Sequence, residues 1–165
     1  MSFEIERRFL IKNDGWKQFI TRKTLIEQGY LSYNLEDWII RIRFNGKNFK
    51  IALKKHIKNF TSYEYEYLIP TSEGKKIMKT LANTIKKERF FLEVDHKNWI
   101  IDCFKGKNSP LEIAEIEITE EKEKIIRPTF LSREITGLKA FTNLSLSKYP
   151  FSKWKKKDLI ILKRI

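Results

Sequence analysis

WIIRIRFNGKNFKIALKK, residues 38–55, decides how the rest of the chain is read. Its Asn45-Gly46 pair is a strong hairpin signal, because both residues tolerate the left-handed backbone of a tight turn between twisted strands. Successive strand residues point to opposite faces. Before the turn, Arg41 and Arg43 therefore share one face and Ile40, Ile42 and Phe44 the other. After it, Lys50 and Lys54 share a face opposite Phe49, Ile51 and Leu53. The stretch predicts two antiparallel strands, 38–44 and 47–57, apolar on one side and basic on the other.

The same arrangement recurs outward. In FEIERRFLI, residues 3–11, Glu4, Glu6 and Arg8 face away from Phe3, Ile5 and Phe9, with Arg7 as the exception. Over 62–69, Glu64 and Glu66 oppose Tyr63, Tyr65 and Tyr67. Over 111–119, Glu115 and Glu117 oppose Ala114, Ile116 and Ile118, and Lys87 and Arg89 stand two apart where another strand enters. Segments 25–33, 89–95 and 99–104 also read as strands. A half-buried sheet could carry such charge on its wet face. Wet faces usually mix Ser, Thr, Lys and Glu, however, because neighbouring like charges are mildly destabilising. Here most strands keep one sign, and the pattern recurs on six. That favours a closed barrel whose charged faces line a lumen.

The expected fold is mainly β (α+β): a closed eight-stranded antiparallel β-barrel with a few flanking helices. Helical segments are expected near 14–23, capped by Asp14, and over 72–87, where Ile77, Leu81 and Ile85 recur after Thr71 and Ser72. A short helix is expected over 128–136, between Pro128 and Gly137, and another over 138–147. The segments 72–87 and 128–147 are expected to cover the outside of the barrel. Residues 1–149 form the expected domain, and 150–165 a basic C-terminal extension packed on the barrel or trailing it.

Composition narrows the function. One domain is expected from 165 residues. The lone Cys103 excludes an internal disulfide and fits a reducing compartment. The first residues carry charge instead of an apolar signal core, and no run approaches about 18 apolar residues. A cytoplasmic protein without membrane contact is expected. A net charge of +13 points to an anionic partner. His56 and His96 lack a metal-ligand spacing and read as surface or loop residues. Cys103, beside Asp102, is expected to pack outward, and Gly74 stands isolated in a helix. There is no Ser/His/Asp arrangement and no glycine-rich phosphate loop. Arginines and lysines in a lumen can grip a chain of phosphates, and clustered glutamates can hold Mg²⁺ or Mn²⁺ against it. Such a site supplies the positioning and charge neutralisation on which phosphoryl transfer depends.

Nine motifs, in order, resemble the CYTH domain, the triphosphate tunnel metalloenzyme family. Glu4-Ile5-Glu6-Arg7-Arg8 resembles its E-x-E-x-K opening, and Gln28-Gly29-Tyr30-Leu31 its Q-G-Y-L. Ile40-Arg41-Ile42-Arg43 resembles V-R-V-R, Ile51-Ala52-Leu53-Lys54 L-T-I-K, and Glu64-Tyr65-Glu66-Tyr67 E-F-E-Y. Lys87-Glu88-Arg89-Phe90 resembles K-x-R-Y, and Trp99 to Phe104 resembles W-E-V-D-x-F. Ala114-Glu115-Ile116-Glu117 resembles A-E-I-E, and Arg133-Glu134-Ile135-Thr136 resembles R-E-V-T.

The resemblance implies that Arg8, Arg41, Arg43, Lys54, Lys87 and Arg89 bind the phosphates, and that Glu4, Glu6, Glu64, Glu66, Glu115 and Glu117 hold metal. Glu4, Glu6 and Arg8 are the implied catalytic set; Asp102 and Glu134 are expected to join the acidic residues, and Lys50 and Tyr30 are further site candidates. Inorganic tripolyphosphate is the leading substrate. A class IV-type adenylate cyclase or a thiamine triphosphatase are alternatives within the family, and a non-catalytic polyphosphate- or RNA-binding module outside it. The partner is then a small-molecule triphosphate or polyphosphate and not nucleic acid, since paired glutamates repel its backbone; a homodimer stays open. The sequence departs from the family at Arg8, where it has lysine, at Ile100, at Ala52 and at Gly137-Leu138-Lys139. Arginine keeps the charge but gives up its proton far less readily.

Overall fold

The computed structural model describes residues 3–32, 38–59 and 61–163. Position 33 of the second expected strand and the last two residues of the tail lie outside them. The strands are β1 (Phe3–Ile11), β2 (Ile20–Ser32), β3 (Ile39–Phe44), β4 (Phe49–Lys58), β5 (Thr61–Ile69), β6 (Thr84–Val94), β7 (Lys97–Phe104), β8 (Glu112–Glu117) and β9 (Leu131–Glu134). Neighbours run antiparallel in the order β5-β4-β3-β2-β6-β7-β8-β1, and β1 returns to β5 through Phe3↔Tyr63, Glu4↔Ser62 and Ile5↔Thr61. Eight strands thus close a barrel, which leaves no free edge along its wall. β9 is extra. It takes the edge of β1 that β5 leaves free, pairing Phe9↔Glu134 and Ile11↔Leu131.

Gly46 occupies the turn between β3 and β4 at φ +84, a backbone that costs glycine no strain. Helix α1 (Thr71–Thr80) follows β5 and lies against β4. A Cβ at Gly74 would meet Phe49 at 2.2 Å, so glycine is what lets the helix approach so closely.

Three local expectations are corrected. The helix expected over 72–87 ends at Thr80, and Thr84 onward belongs to β6. Ile85 and Lys87 are both buried while Lys86 between them is exposed, so period two prevails once β2 offers a hydrogen-bonding edge. Residues 131–134, expected in a helix, form β9 for the same reason: the remaining edge of β1 satisfies their backbone. Near residue 14 a 3-10 turn, Asp14–Phe19, is capped by Asn13, whose side chain accepts from Gly15 N–H, and β2 has begun by Ile20.

The apolar side chains form two cores. The first lies outside the barrel. Phe9, Leu92, Trp99, Ile101 and Ile116 are covered by Trp16 and by Phe130 and Leu131, with half-buried Cys103 at its margin. The second closes one end. Leu10, Ile85, Phe104 and Ile113 continue the inner faces of β1, β6, β7 and β8 past their last charged residues. They pack against Phe141 and Leu146, and Phe151 and Trp154 pack behind. Residues 138–147 were expected over the barrel's outside. Instead the 3-10 turn Lys139–Phe141 and helix α2 (Asn143–Lys148) stopper the lumen, because the inner faces turn apolar at that end. Helix α3 (Lys156–Lys163) follows.

Candidate active site

The barrel is therefore a cup, with a cavity of about 850 Å³. At its floor Lys87 and Asp102 are fully buried. Lys87 Nζ donates to Asp102 and, at 3.2 Å, to Asn143 Oδ1 of the stopper. Arg89 forks onto the same carboxylate, Nε to Oδ1 at 2.8 Å and Nη2 to Oδ2 at 2.7 Å, and reaches Glu115 Oε2 at 3.1 Å. Arg8 Nε donates to the other Glu115 oxygen at 3.1 Å. Burial works against the charge of each group here, and ion pairing resists it. For Asp102, Arg89 and Lys87 outweigh burial and hold the carboxyl far below its usual range. For Lys87 burial prevails despite Asp102, and its ammonium falls to about 8. Arg8 is raised: against its burial stand Glu115, Glu6 and Asp102.

The facing wall comes from β3, β4, β5 and the start of β1. Arg41 Nη2 donates to Glu64 Oε1 at 2.6 Å and to Glu66 at 3.3 Å. Lys50 donates to Glu66 at 2.8 Å. Arg43 Nε donates to Gln28 Oε1 at 3.3 Å, and Gln28 donates to the Tyr30 hydroxyl at 2.9 Å. Arg43 falls to about 10 through burial and the proximity of Arg41 and Arg89. Lys54 donates to Glu4 and stands 3.4 Å from Glu64. Glu4 rises to about 7: burial pushes it up, Lys54 offsets only part, and Glu6 and Glu64 add to the rise.

Every expected site residue but one thus comes to one lumen. Glu6 and Glu117 line the cavity toward its mouth. Glu134 does not join them. It takes a two-pronged bond from Arg7, at 2.8 and 2.6 Å, beside Phe9 of the outer core. This also explains why Arg7 breaks the alternation. His56 is exposed, and His96 borders the mouth. Sequence reasoning missed Gln28 as a prop for Arg43, Asn143 at the floor, and Arg22 and Phe91 at the mouth. The Q-G-Y-L motif pointed to Gln28. Nothing local marked Asn143, which arrives from 56 residues beyond Lys87.

The carboxylates also bear on a divalent cation. Among the described residues no three carboxylate, histidine or cysteine side chains converge on one point. Glu4 and Glu64 do come together around Lys54, which donates to Glu4 and stands 3.4 Å from Glu64. Mg²⁺ is commonly held by one or two carboxylates with waters and substrate phosphates completing its shell. The pair fits such an ion, and Glu4, raised chiefly by its burial, would regain its charge beside one.

Comparison with known proteins gives the same picture. No family model matches the chain. It is 33% identical over 158 residues to an inorganic triphosphatase of Acetivibrio thermocellus, spanning 94% of this chain and 99% of that one. The crystal structure of the inorganic triphosphatase NE1496 is similar at 26% identity and a TM-score of 0.65, over 87% of this chain and 97% of that chain. A putative adenylyl cyclase from Hippeastrum, described as having a dominant triphosphatase activity, shares the fold at 15% identity and a TM-score of 0.53, over 73% and 80%.

Proposed function

The chain belongs to the CYTH family of triphosphate tunnel metalloenzymes, and from that premise we propose that it hydrolyses inorganic tripolyphosphate with Mg²⁺ or Mn²⁺. The observation that carries this reading is the charge balance of the cup. Arg8, Arg41, Arg43, Lys50, Lys54, Lys87 and Arg89 face Glu4, Glu6, Glu64, Glu66, Asp102, Glu115 and Glu117. The balance is formally even, so the lumen's side chains by themselves give a polyanion little net attraction. With a divalent cation held by its carboxylates the lumen would be net positive, and its arginines and lysines would be available to phosphate oxygens.

Arg41, Arg43 and Lys54 would grip the chain from one wall, and Arg8, Lys87 and Arg89 from the other. Glu4 and Glu64 would hold the cation, with Glu6, Glu66, Glu115 and Glu117 around them. When bound, the cation would polarise a phosphoryl group and acidify a water. Arg8 serves this chemistry as a fixed charge, since Glu115 keeps its guanidinium protonated. Its Nη2, buried and without a hydrogen-bond partner, is a donor ready for a phosphate oxygen. Glu6 and Glu117, nearer the mouth, would orient the attacking water.

Phosphate release from tripolyphosphate, ATP and thiamine triphosphate, with Mg²⁺, Mn²⁺ or EDTA, tests this. Metal-dependent release, fastest on tripolyphosphate, is expected. Cyclic AMP with pyrophosphate would replace the reading with a cyclase, and salt-sensitive binding without turnover would replace it with a polyanion-binding module.

A further inference from the structure

The inner face of β6 presents Lys87, then Arg89, then Phe91. Lys87 and Phe91 lie four residues apart, about 13 Å of strand. Where the next cation is due there is an aromatic ring, and a cation from the neighbouring strand sits on it. Arg22 of β2 pairs across the sheet with Phe91, and its guanidinium carbon stands 3.4 Å from the centre of that ring. Both residues line the mouth of the cup. Arg22 is exposed, and among the described residues no carboxylate pairs with it. The row of cations is thus extended outward by a residue of another strand, held in place by stacking.

The opposite end of the lumen is shut by Phe104, Phe141 and Leu146. A phosphate chain longer than the cup extends toward the mouth, which Arg22 lines together with Thr21, Phe91, His96 and Lys97. We propose that Arg22, held on Phe91, is a subsite for the phosphate beyond the three seated in the cup, so that linear chains of four or more phosphates gain affinity over tripolyphosphate. This rests on the triphosphate reading above. The geometry favours phosphate over a nucleobase because the guanidinium already covers one face of Phe91. Its N–H donors radiate in its own plane, where they suit an anion's oxygens.

The test is calorimetric titration of the full chain with tripolyphosphate, tetrapolyphosphate and ATP, with and without Mg²⁺, following phosphate release in the same samples. Arg22→Gln is expected to weaken tetrapolyphosphate about tenfold, the scale of a lost charged hydrogen bond, and tripolyphosphate several times less. Phe91→Leu is expected to shift both in the same direction by less. Equal losses on the two chains, or none on either, would overturn the subsite. So would a loss confined to ATP, which would assign Arg22 to a base. A tetrapolyphosphate-specific loss without phosphate release from any chain would sustain the subsite and sink the hydrolytic reading alone.

Discussion

On the wall formed by β6, β7 and β8, Lys87 and Asp102 are wholly out of water, and Arg89 completes a closed ion-pair cluster. On the wall formed by β3, β4 and β5, Lys54 and the Glu4 of β1 that it meets keep 28% and 22% of their side-chain surface exposed. The residue types are nearly the same, and the physics is not. A dry ion pair is costly to assemble and far costlier to leave half broken, so the first wall is a rigid frame of committed partners. The second wall is only partly dry, and there the burial of Glu4, offset only in part by Lys54, lifts its carboxyl to about 7. One wall is a closed set of ion pairs, and the other keeps its carboxylates open to the lumen.

The largest expected effect breaks the closed wall. Asp102→Ala leaves Lys87 and Arg89 buried without their carboxylate and should cost about 3–5 kcal/mol in urea unfolding. Glu4→Gln on the open wall should change stability by less than about 1 kcal/mol. A similar cost for both would erase the contrast. Turnover should reverse the order of importance. Glu4→Gln or Glu64→Gln should slow metal-dependent phosphate release about a hundredfold or more, since holding a cation contributes several kcal/mol to such chemistry.

Glu115 and Glu117, two apart on β8, sharpen the boundary between the walls. The sequence alone leads one to expect that Glu115→Gln and Glu117→Gln both abolish turnover and leave the fold intact. Glu115, however, accepts from Arg8 and Arg89 at the dry floor. Its substitution should cost about 1–3 kcal/mol of stability as well, against about 0.5 kcal/mol or less for exposed Glu117.

Titration gives a subtler contrast. The protonated form of Glu4 favours the folded state. That contribution is complete below about pH 4.5 and is lost as pH rises through about 7. Asp102 is shifted the other way, and its contribution fails only in strong acid. The Mg²⁺-dependent rise in melting temperature should therefore grow between pH 6 and pH 8. A flat profile would remove Glu4 from the cation site. The smallest effect belongs to Glu134, outside the cup. Glu134→Gln should cost about 1 kcal/mol or less, the scale of a surface ion pair, and leave phosphate release within about twofold.

Much of this was legible beforehand. Arg41, Arg43, Lys54, Glu64 and Glu66 could be assigned to one face because alternation along a strand follows from backbone geometry. Glu134 was misread because it belongs to a motif but sits on the strand face that meets Arg7. The helices expected over 72–87 and 128–136 gave way at 84–87 and 131–134 because neither apolar spacing nor a Pro and Gly at the two ends says anything about a strand edge waiting elsewhere.

By itself the sequence determined the alternation, the turns, the sign of charge on each strand and, through nine ordered motifs, the family. Only the tertiary structure decided which acid meets which base, that Lys87 and Asp102 are dry while Glu4 and Lys54 are wet, and that the C-terminal segment turns a tunnel into a cup. The reason is range. Alternation is set between adjacent residues, whereas burial and pairing depend on groups up to 128 residues apart, brought together only when the barrel closes.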